Sequence, residues 1–129
     1  MEASYHPANL ALRFVLELTV LTSLAHVGWT GFQELWPSIA AACLLPGLAM
    51  TVWAVFAVPG DRSRSGRAPV AISGRLRLSL ESMFFAVGAL GLWMAGLKIL
   101  SVSFTAVVLV HYGLSGARVK WLLAQHSGR

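Results

Sequence analysis

The sequence predicts an all-α integral membrane protein, a four-helix bundle built from two parallel two-helix repeats. Of its 129 residues, 57% are hydrophobic and only 12% are charged, whereas a soluble domain usually carries about 25% charged residues. Two uncharged stretches, 35–60 and 99–117, are long enough to cross a bilayer, since a spanning helix needs about 20 apolar residues. A short phrase, LRFVLE at 12–17, also returns as LRLSLE at 76–81.

These stretches predict a single transmembrane domain over 1–129 with four spans. The first span is interpreted as a mature helix, because a start without basic residues and a stretch containing Arg13 and Glu17 fit a cleavable signal peptide poorly. The middle loop is polar and basic after Pro59, so its backbone groups would lack partners in hydrocarbon. The predicted spans are about 9–31, 36–58, 75–97 and 99–117, with a cytoplasmic loop at 59–74.

Basic residues predict the orientation. Most arginines and lysines lie in the middle loop with its flank and in the C-terminal tail, while the opposite side has only Lys98. Because cytoplasmic segments carry the excess of positive charge, both termini and the middle loop are predicted to be cytoplasmic, in a multi-pass protein of the inner (plasma) membrane. The net charge of +5 therefore indicates topology and not binding to nucleic acid.

Each repeat places an arginine and a glutamate four residues apart: Arg13 with Glu17, and Arg77 with Glu81. Residues at this spacing share a helix face. A carboxylate facing lipid is strongly disfavoured, so both pairs are predicted to point inward and to approach each other across the bundle. Ionisable groups at such depth are candidates for function, although arginine and glutamate pairs can also simply hold helices together.

Other candidates lie near the same depth. His111 on the fourth helix can bind a glutamate or relay a proton, or it can be an ordinary packing residue, and Tyr112 follows it. Aromatic residues in the spans form either plain core or a pocket of ring faces for an apolar or cationic molecule. No Glu-x-x-His spacing is present and arginines would repel a cation, so neither a metal nor another cofactor is expected.

The segment 9–18 followed by Gly28 and Trp29, and the segment 75–81 with Trp93 downstream, resemble the YrdB-like family of small bacterial membrane proteins over residues 8–115. In size and number of spans, the chain is also similar to the small integral-membrane terpene cyclases of bacterial indole-sesquiterpenoid pathways. That second resemblance implies cyclisation of a prenyl chain, started by protonation of an alkene or epoxide.

Three functions remain open from the sequence. As a cyclase, the protein would take an apolar prenylated molecule from the bilayer and protonate it with an intramembrane glutamate. As a small proton-coupled transporter, a bundle of four spans would need to form a homo-oligomer to provide a path. As a structural membrane subunit, it would use its charged pairs only to fix helix register. The cyclase hypothesis assigns catalysis to Glu17, Glu81 and His111, and substrate binding to Arg13, Arg77, Trp53, Phe84, Phe85, Trp93 and Tyr112.

Overall fold

The computed structural model describes residues 3–64 and 67–125. Positions 65–66 of the predicted loop and the two chain ends, 1–2 and 126–129, lie outside the described residues. The described residues are mostly helical, with one parallel pair of two-residue strands. In order, the elements are a 3-10 turn (Ala3–Tyr5), α1 (Pro7–Thr30), α2 (Leu35–Val55), β1 (Phe56–Ala57), β2 (Val70–Ala71), α3 (Gly74–Met94), α4 (Lys98–Leu114) and α5 (Gly116–Ala124).

Local chemistry sets where the two central helices begin. Pro7 occupies the first turn of α1, where its missing N–H is not needed. The His6 ring caps that helix by accepting from the Ala8 N–H, at 3.2 Å. Ser73 caps α3 in the same way, since its hydroxyl accepts from the Leu76 N–H at 3.2 Å.

The helices have the dimensions of membrane spans. Helices α1, α2 and α3 are each long and apolar enough to cross a bilayer, and α4 with α5 would make a fourth span if the bent pair is counted as one. Large apolar side chains also cover much of the outer surface, among them Leu48, Met83 and Ile99. A surface of this kind is stable in hydrocarbon and not in water. The architecture is therefore that of a helical membrane bundle.

Helices α1 and α3 lie at the centre and pack closely through small residues. A Cβ atom on Gly88 would sit 2.6 Å from Cγ2 of Val20, so only glycine permits this separation. The Ser23 hydroxyl donates to the Gly88 carbonyl across the same interface, at 2.9 Å. Helix α2 packs on α1, and α4 packs on α3. The apolar core between them consists of Leu16, Val20, Leu24, Phe85, Leu92 and Phe104.

The end of the bundle that carries the 59–74 loop differs from the sequence prediction. The fourth helix was expected to run to residue 117, but α4 ends at Leu114 and α5 leaves it at an angle of 70°. Helix α5 packs back onto the start of α3: Leu122 is fully buried, and the Gly74 N–H donates to the Gln125 carbonyl at 3.1 Å. A second small apolar cluster of Val58, Ile72 and Leu122 holds this end together.

Candidate functional site

A fully buried carboxylate, Glu81 on α3, is the centre of the charged site. Its Oε1 atom accepts from Arg13 Nη2 at 2.7 Å, from Arg77 Nε at 3.1 Å and from Arg118 Nη2 at 2.6 Å. Its Oε2 atom accepts from Arg118 Nη1 at 3.0 Å and from the Tyr112 hydroxyl at 2.6 Å. One carboxylate thus joins side chains from α1, α3, α4 and α5.

Two further carboxylates balance the charge of the three arginines. Glu17 Oε1 lies 3.2 Å from Arg13 Nε, and its side chain keeps 22% of its surface exposed. Asp61, in the loop after β1, accepts from Arg118 Nε at 3.2 Å and from Arg118 Nη2 at 2.6 Å. Three guanidinium groups therefore face three carboxylates in one buried network. We call these six side chains the charge cluster: Arg13, Glu17, Asp61, Arg77, Glu81 and Arg118.

Asp61 is the member of the charge cluster that lies in the loop. Burial of its carboxyl raises its pKa, but the hydrogen bonds and the charge of Arg118 outweigh burial, so the pKa of Asp61 lies below its ordinary value. The Ser63 N–H adds a further hydrogen bond to Asp61 Oδ1, at 2.9 Å. Asp61 is therefore ionised at neutral pH and fixes the loop to α5.

The end of α2 joins the charge cluster through backbone and ring contacts. Arg77 Nη1 donates to the carbonyl oxygen of Trp53 at 2.8 Å and to that of Phe56. The Trp53 carbonyl belongs to the last turn of α2, where helix groups lack partners of their own, and Phe56 is the residue that follows the helix. The Trp53 ring also faces both central arginines, with its centroid 4.3 Å from Arg77 Cζ and 5.1 Å from Arg13 Cζ.

A second polar network surrounds His111, which is 1% exposed. Its Nδ1 atom lies 2.9 Å from Asn9 Oδ1. Asn9 Nδ2 donates to Ser115 Oγ at 2.9 Å and to the Ser4 carbonyl at 3.3 Å. Ser4 Oγ in turn accepts from the backbone N–H of Arg118 at 3.2 Å. This network ties the chain's first turns to the corner between α4 and α5.

Aromatic rings pack beside the charge cluster in one continuous group. Trp53 stacks on Phe84 with centroids 4.3 Å apart, and Phe85 meets both rings edge-on. Phe85 also lies 6.3 Å from Phe104 and 6.0 Å from Tyr112, measured between centroids. Phe85, Phe104 and Tyr112 then form part of the wall of an open apolar groove.

This groove lies between α3, α4 and α5 and has a volume of about 720 Å³. Its wall is mostly apolar, and its few polar residues include Tyr112 and Lys120. The Tyr112 hydroxyl donates to Glu81. Ala86 of α3 and Gly113 of α4 line it from opposite sides. We call it the α3–α4 groove, and its remaining lining residues are Leu78, Ser82, Phe85, Ala89, Phe104, Thr105, Val108, Leu109, Gly116 and Val119.

Most side chains singled out from the sequence converge on Glu81 and the aromatic rings beside it, and two do not. Arg13, Arg77 and Tyr112 contact Glu81 directly, Glu17 contacts Arg13, and Trp53, Phe84 and Phe85 pack alongside. His111 binds Asn9 and not a glutamate. Trp93 lies twelve residues beyond Glu81 on α3, about 18 Å away along the axis at 1.5 Å per residue. It contacts Lys98, whose Nζ is 5.0 Å from the ring centroid, so it is outside the site.

Several functional side chains were missed. Arg118 belongs to the basic C-terminal tail of the sequence and Asp61 to the polar loop after Pro59, yet both side chains are buried. One signal was available, because Asp61 is the only aspartate in the chain. Asn9 and Ser115 gave no signal, since a single amide or hydroxyl near a helix end is commonplace.

The surroundings of Glu81 limit the chemistry it can perform. All five of its contacts are donors, and three of the donating side chains are guanidinium groups. A proton on Glu81 would displace one of these donors, so the arrangement favours an ionised carboxylate that only accepts hydrogen bonds. Glu81 is therefore poorly suited to give a proton to a substrate. Glu17 has a single arginine contact and a partly open side chain. Within the described residues, no group of three His, Cys, Asp or Glu side chains is arranged to hold a metal ion.

An apolar exterior, a buried and balanced charge cluster and helices of spanning length define a small helical membrane protein. The chain belongs to the family described as "Protein of unknown function (DUF2568)", which matches residues 11–109. It is 41% identical over 117 residues to the "Uncharacterized protein YrdB" of Bacillus subtilis (strain 168), covering 91% of this chain and 94% of that protein. No solved structure matches. These matches confirm the YrdB-like resemblance and lend no support to the likeness to terpene cyclases.

Proposed function

We propose that this protein binds an apolar chain, of isoprenoid or similar type, in the α3–α4 groove. Ligand pockets usually measure about 300–1,000 Å³ and combine apolar walls with a few polar groups. The groove has a volume of about 720 Å³, and its polar groups are few. The observation that carries the proposal is this combination of an apolar groove with the Tyr112 hydroxyl anchored on Glu81 at its wall.

In this proposal the charge cluster has a supporting role. Glu81 accepts a hydrogen bond from the Tyr112 hydroxyl and so fixes this ring in the groove wall. Glu81 also binds Arg118, which fixes the start of α5, and residues of α5 line one end of the groove. A ligand site needs side chains that are held rigidly by their neighbours. The buried salt bridges provide that rigidity without touching the ligand.

Cyclisation of a prenyl chain is a second candidate function, and the continuous group of aromatic rings favours it. Ring faces stabilise a cation that migrates along a chain, and Phe85, Phe104 and Tyr112 all line the groove. In this reaction Glu17 is the better candidate for the acid, because Glu81 is occupied by arginines. Arg13 would then hold Glu17.

We also propose the finer topology. Arg13 and Arg77, one from each Arg/Glu pair, both bind Glu81, and this arrangement supports two parallel hairpin repeats related by an axis along the membrane normal. Arg62, Arg64 and Arg75 lie at one end of the bundle, and Lys98 begins α4 at the other end. The positive-inside rule then assigns the 59–74 loop and both termini to the cytoplasm, in the inner (plasma) membrane.

A matched pair of glycine variants tests binding in the groove. Gly113 on α4 and Gly47 on α2 both have open space where a Cβ would lie, so Leu is tolerated by the backbone at both. Gly113→Leu adds a side chain to the groove wall, while Gly47 is not part of that wall. Both proteins are purified into nanodiscs with a photoreactive farnesyl probe, and labelling is quantified by mass spectrometry.

The expected result is at least a fivefold loss of labelling in Gly113→Leu and wild-type labelling in Gly47→Leu. Equal labelling in the two variants would reject the groove as the binding site. For the cyclase candidate, membranes are incubated with a prenylated alkene or epoxide, and products are separated by mass spectrometry. Cyclised product from wild type, lost in Glu17→Gln, supports cyclisation; its persistence in that variant removes the assigned acid.

A further inference from the structure

Two buried side chains, on α1 and α4, each carry a polar atom without a partner among the described residues: Arg13 Nη1 and His111 Nε2. Arg13 is 4% exposed and His111 is 1% exposed. Folded proteins pair nearly all of their buried polar atoms, with protein groups or with a bound molecule. Two unpaired atoms on neighbouring side chains therefore point to a ligand.

Three contacts bring the two side chains together. Asn9 precedes Arg13 by one helical turn and lies on the same face of α1. The His111 ring is 2.9 Å from Asn9 Oδ1. Arg13 and Tyr112, the residue after His111, both bind the carboxylate of Glu81.

The hydrogen bonds around Asn9 determine which nitrogen of His111 carries the proton. Both amide hydrogens of Asn9 are used, by the Ser4 carbonyl and by Ser115 Oγ. A backbone carbonyl can only accept, so the Asn9 oxygen must face His111, and Nδ1 of the ring must be the donor. In the neutral imidazole, Nε2 is then a bare acceptor. The unpaired atom of Arg13 is a donor.

We propose that a hydroxyl group bridges Arg13 Nη1 and His111 Nε2 at a buried site between α1 and α4. A hydroxyl accepts one hydrogen bond and donates one, which is the complement of this pair. A neutral group suits the site because three guanidinium groups already face three carboxylates. The hydroxyl comes either from water or from the head of an alcohol.

A cavity at the N-terminal end of α1 lies beside this region. It measures about 430 Å³ and reaches Asn9 and Leu12, with Leu114 of α4 on its other side. One water occupies about 30 Å³ of liquid, so this cavity has room for the remainder of a larger hydroxyl compound. This cavity shares no lining residue with the α3–α4 groove. The site does not depend on the proposed function, and either can fail without the other.

Nitrogen NMR on wild-type protein in nanodiscs tests the site directly. The chain has four histidines, and His111→Asn identifies the His111 signals by their loss. The expected spectrum has the proton on Nδ1 and magnetisation transfer to Nε2 from a hydroxyl. Transfer from water identifies water as the source of the hydroxyl. If added farnesol replaces this signal with transfer from its own hydroxyl, and farnesyl methyl ether does not, the source is an alcohol. A proton on Nε2, or no transfer from either source, overturns the proposal.

Two variants separate a ligand site from a merely structural histidine. His111→Asn keeps an amide near the Nδ1 position and leaves nothing at Nε2, whereas His111→Gln reaches the Nε2 position and loses the group that binds Asn9. The measurement is hydroxyl-to-guanidinium transfer at Arg13. It is expected to be lost in His111→Asn and retained in His111→Gln. Equal transfer in both variants, or the reverse order, contradicts the bridge.

Discussion

Replacing Glu81 with glutamine is expected to be the most damaging conservative substitution in the chain. Glutamine has the same shape as glutamate, but its NH₂ group is a donor and would face the arginine donors around position 81. The charge cluster would also change from neutral to one excess positive charge. Removal of one partner from a buried ion pair costs about 3–5 kcal/mol. Three arginines lose their shared partner here, so we expect a loss of about 3 kcal/mol or more.

Glu17→Gln is the matched control. Glu17 contacts the same Arg13, but its side chain is 22% exposed and Arg13 keeps its bond to Glu81. Partly exposed pairs contribute about 1 kcal/mol or less. Both variants and wild type are unfolded with SDS in mixed micelles, and the free energy of unfolding is followed by tryptophan fluorescence.

The order of the two losses is the decisive result. A loss for Glu81→Gln no larger than that for Glu17→Gln would refute the view of Glu81 as the centre of the cluster. Adding Arg13→Gln to Glu81→Gln restores the charge balance, so the double variant is expected to lose less than the sum of the single losses. Strict additivity would show that the charges are not coupled.

Three further outcomes follow from the structure. The pKa of Asp61 lies below its ordinary value, so its contact with Arg118 stabilises the protein above about pH 4 and is lost as the pH falls below that value. The difference in the free energy of unfolding between wild type and Asp61→Asn should therefore be constant from pH 5 to 8 and vanish in acid. A difference that grows in acid would contradict this sign. Gly74→Ala places a Cβ against the Leu122 backbone, whereas a Cβ on Gly116 would lie in open space. Trypsin should therefore cleave after Arg118 and Lys120 faster in Gly74→Ala than in Gly116→Ala. Equal cleavage would show that α5 does not pack against the start of α3. Cysteines introduced at Arg62 and Leu97, with Cys43 replaced by Ala, should be labelled from opposite sides of right-side-out vesicles, with Leu97 on the outside; labelling of both from one side rejects the topology.

Part of this arrangement was accessible from the sequence because it follows from repetition and helical spacing. The recurring phrase marked Arg13, Glu17, Arg77 and Glu81, and the cost of charge in hydrocarbon predicted that they face inward. Their unequal roles were not accessible, since each glutamate follows an arginine by four residues in a similar apolar phrase. The difference arises because Arg118 reaches Glu81 and not Glu17.

Arg118 was beyond sequence reasoning for a physical reason. An arginine after an apolar span normally lies in water or at the headgroups, and only the 70° bend before α5 turns it into the bundle. The bend itself depends on tertiary contacts of Leu122 and Gly74, far apart in sequence. The role of Asn9 depends likewise on His111, 102 residues away.

Mapping of cross-links from a photoreactive farnesyl probe tests most directly whether the α3–α4 groove holds an apolar chain. The wild-type protein is irradiated in nanodiscs, and the modified peptides are sequenced by mass spectrometry. The expected result is labelling concentrated at groove residues such as Ala86, Val108 and Gly113, with little at the exposed side chains Leu44 and Met50 of α2. Equal labelling of all exposed apolar faces would contradict a specific site and leave the groove as ordinary contact with lipid.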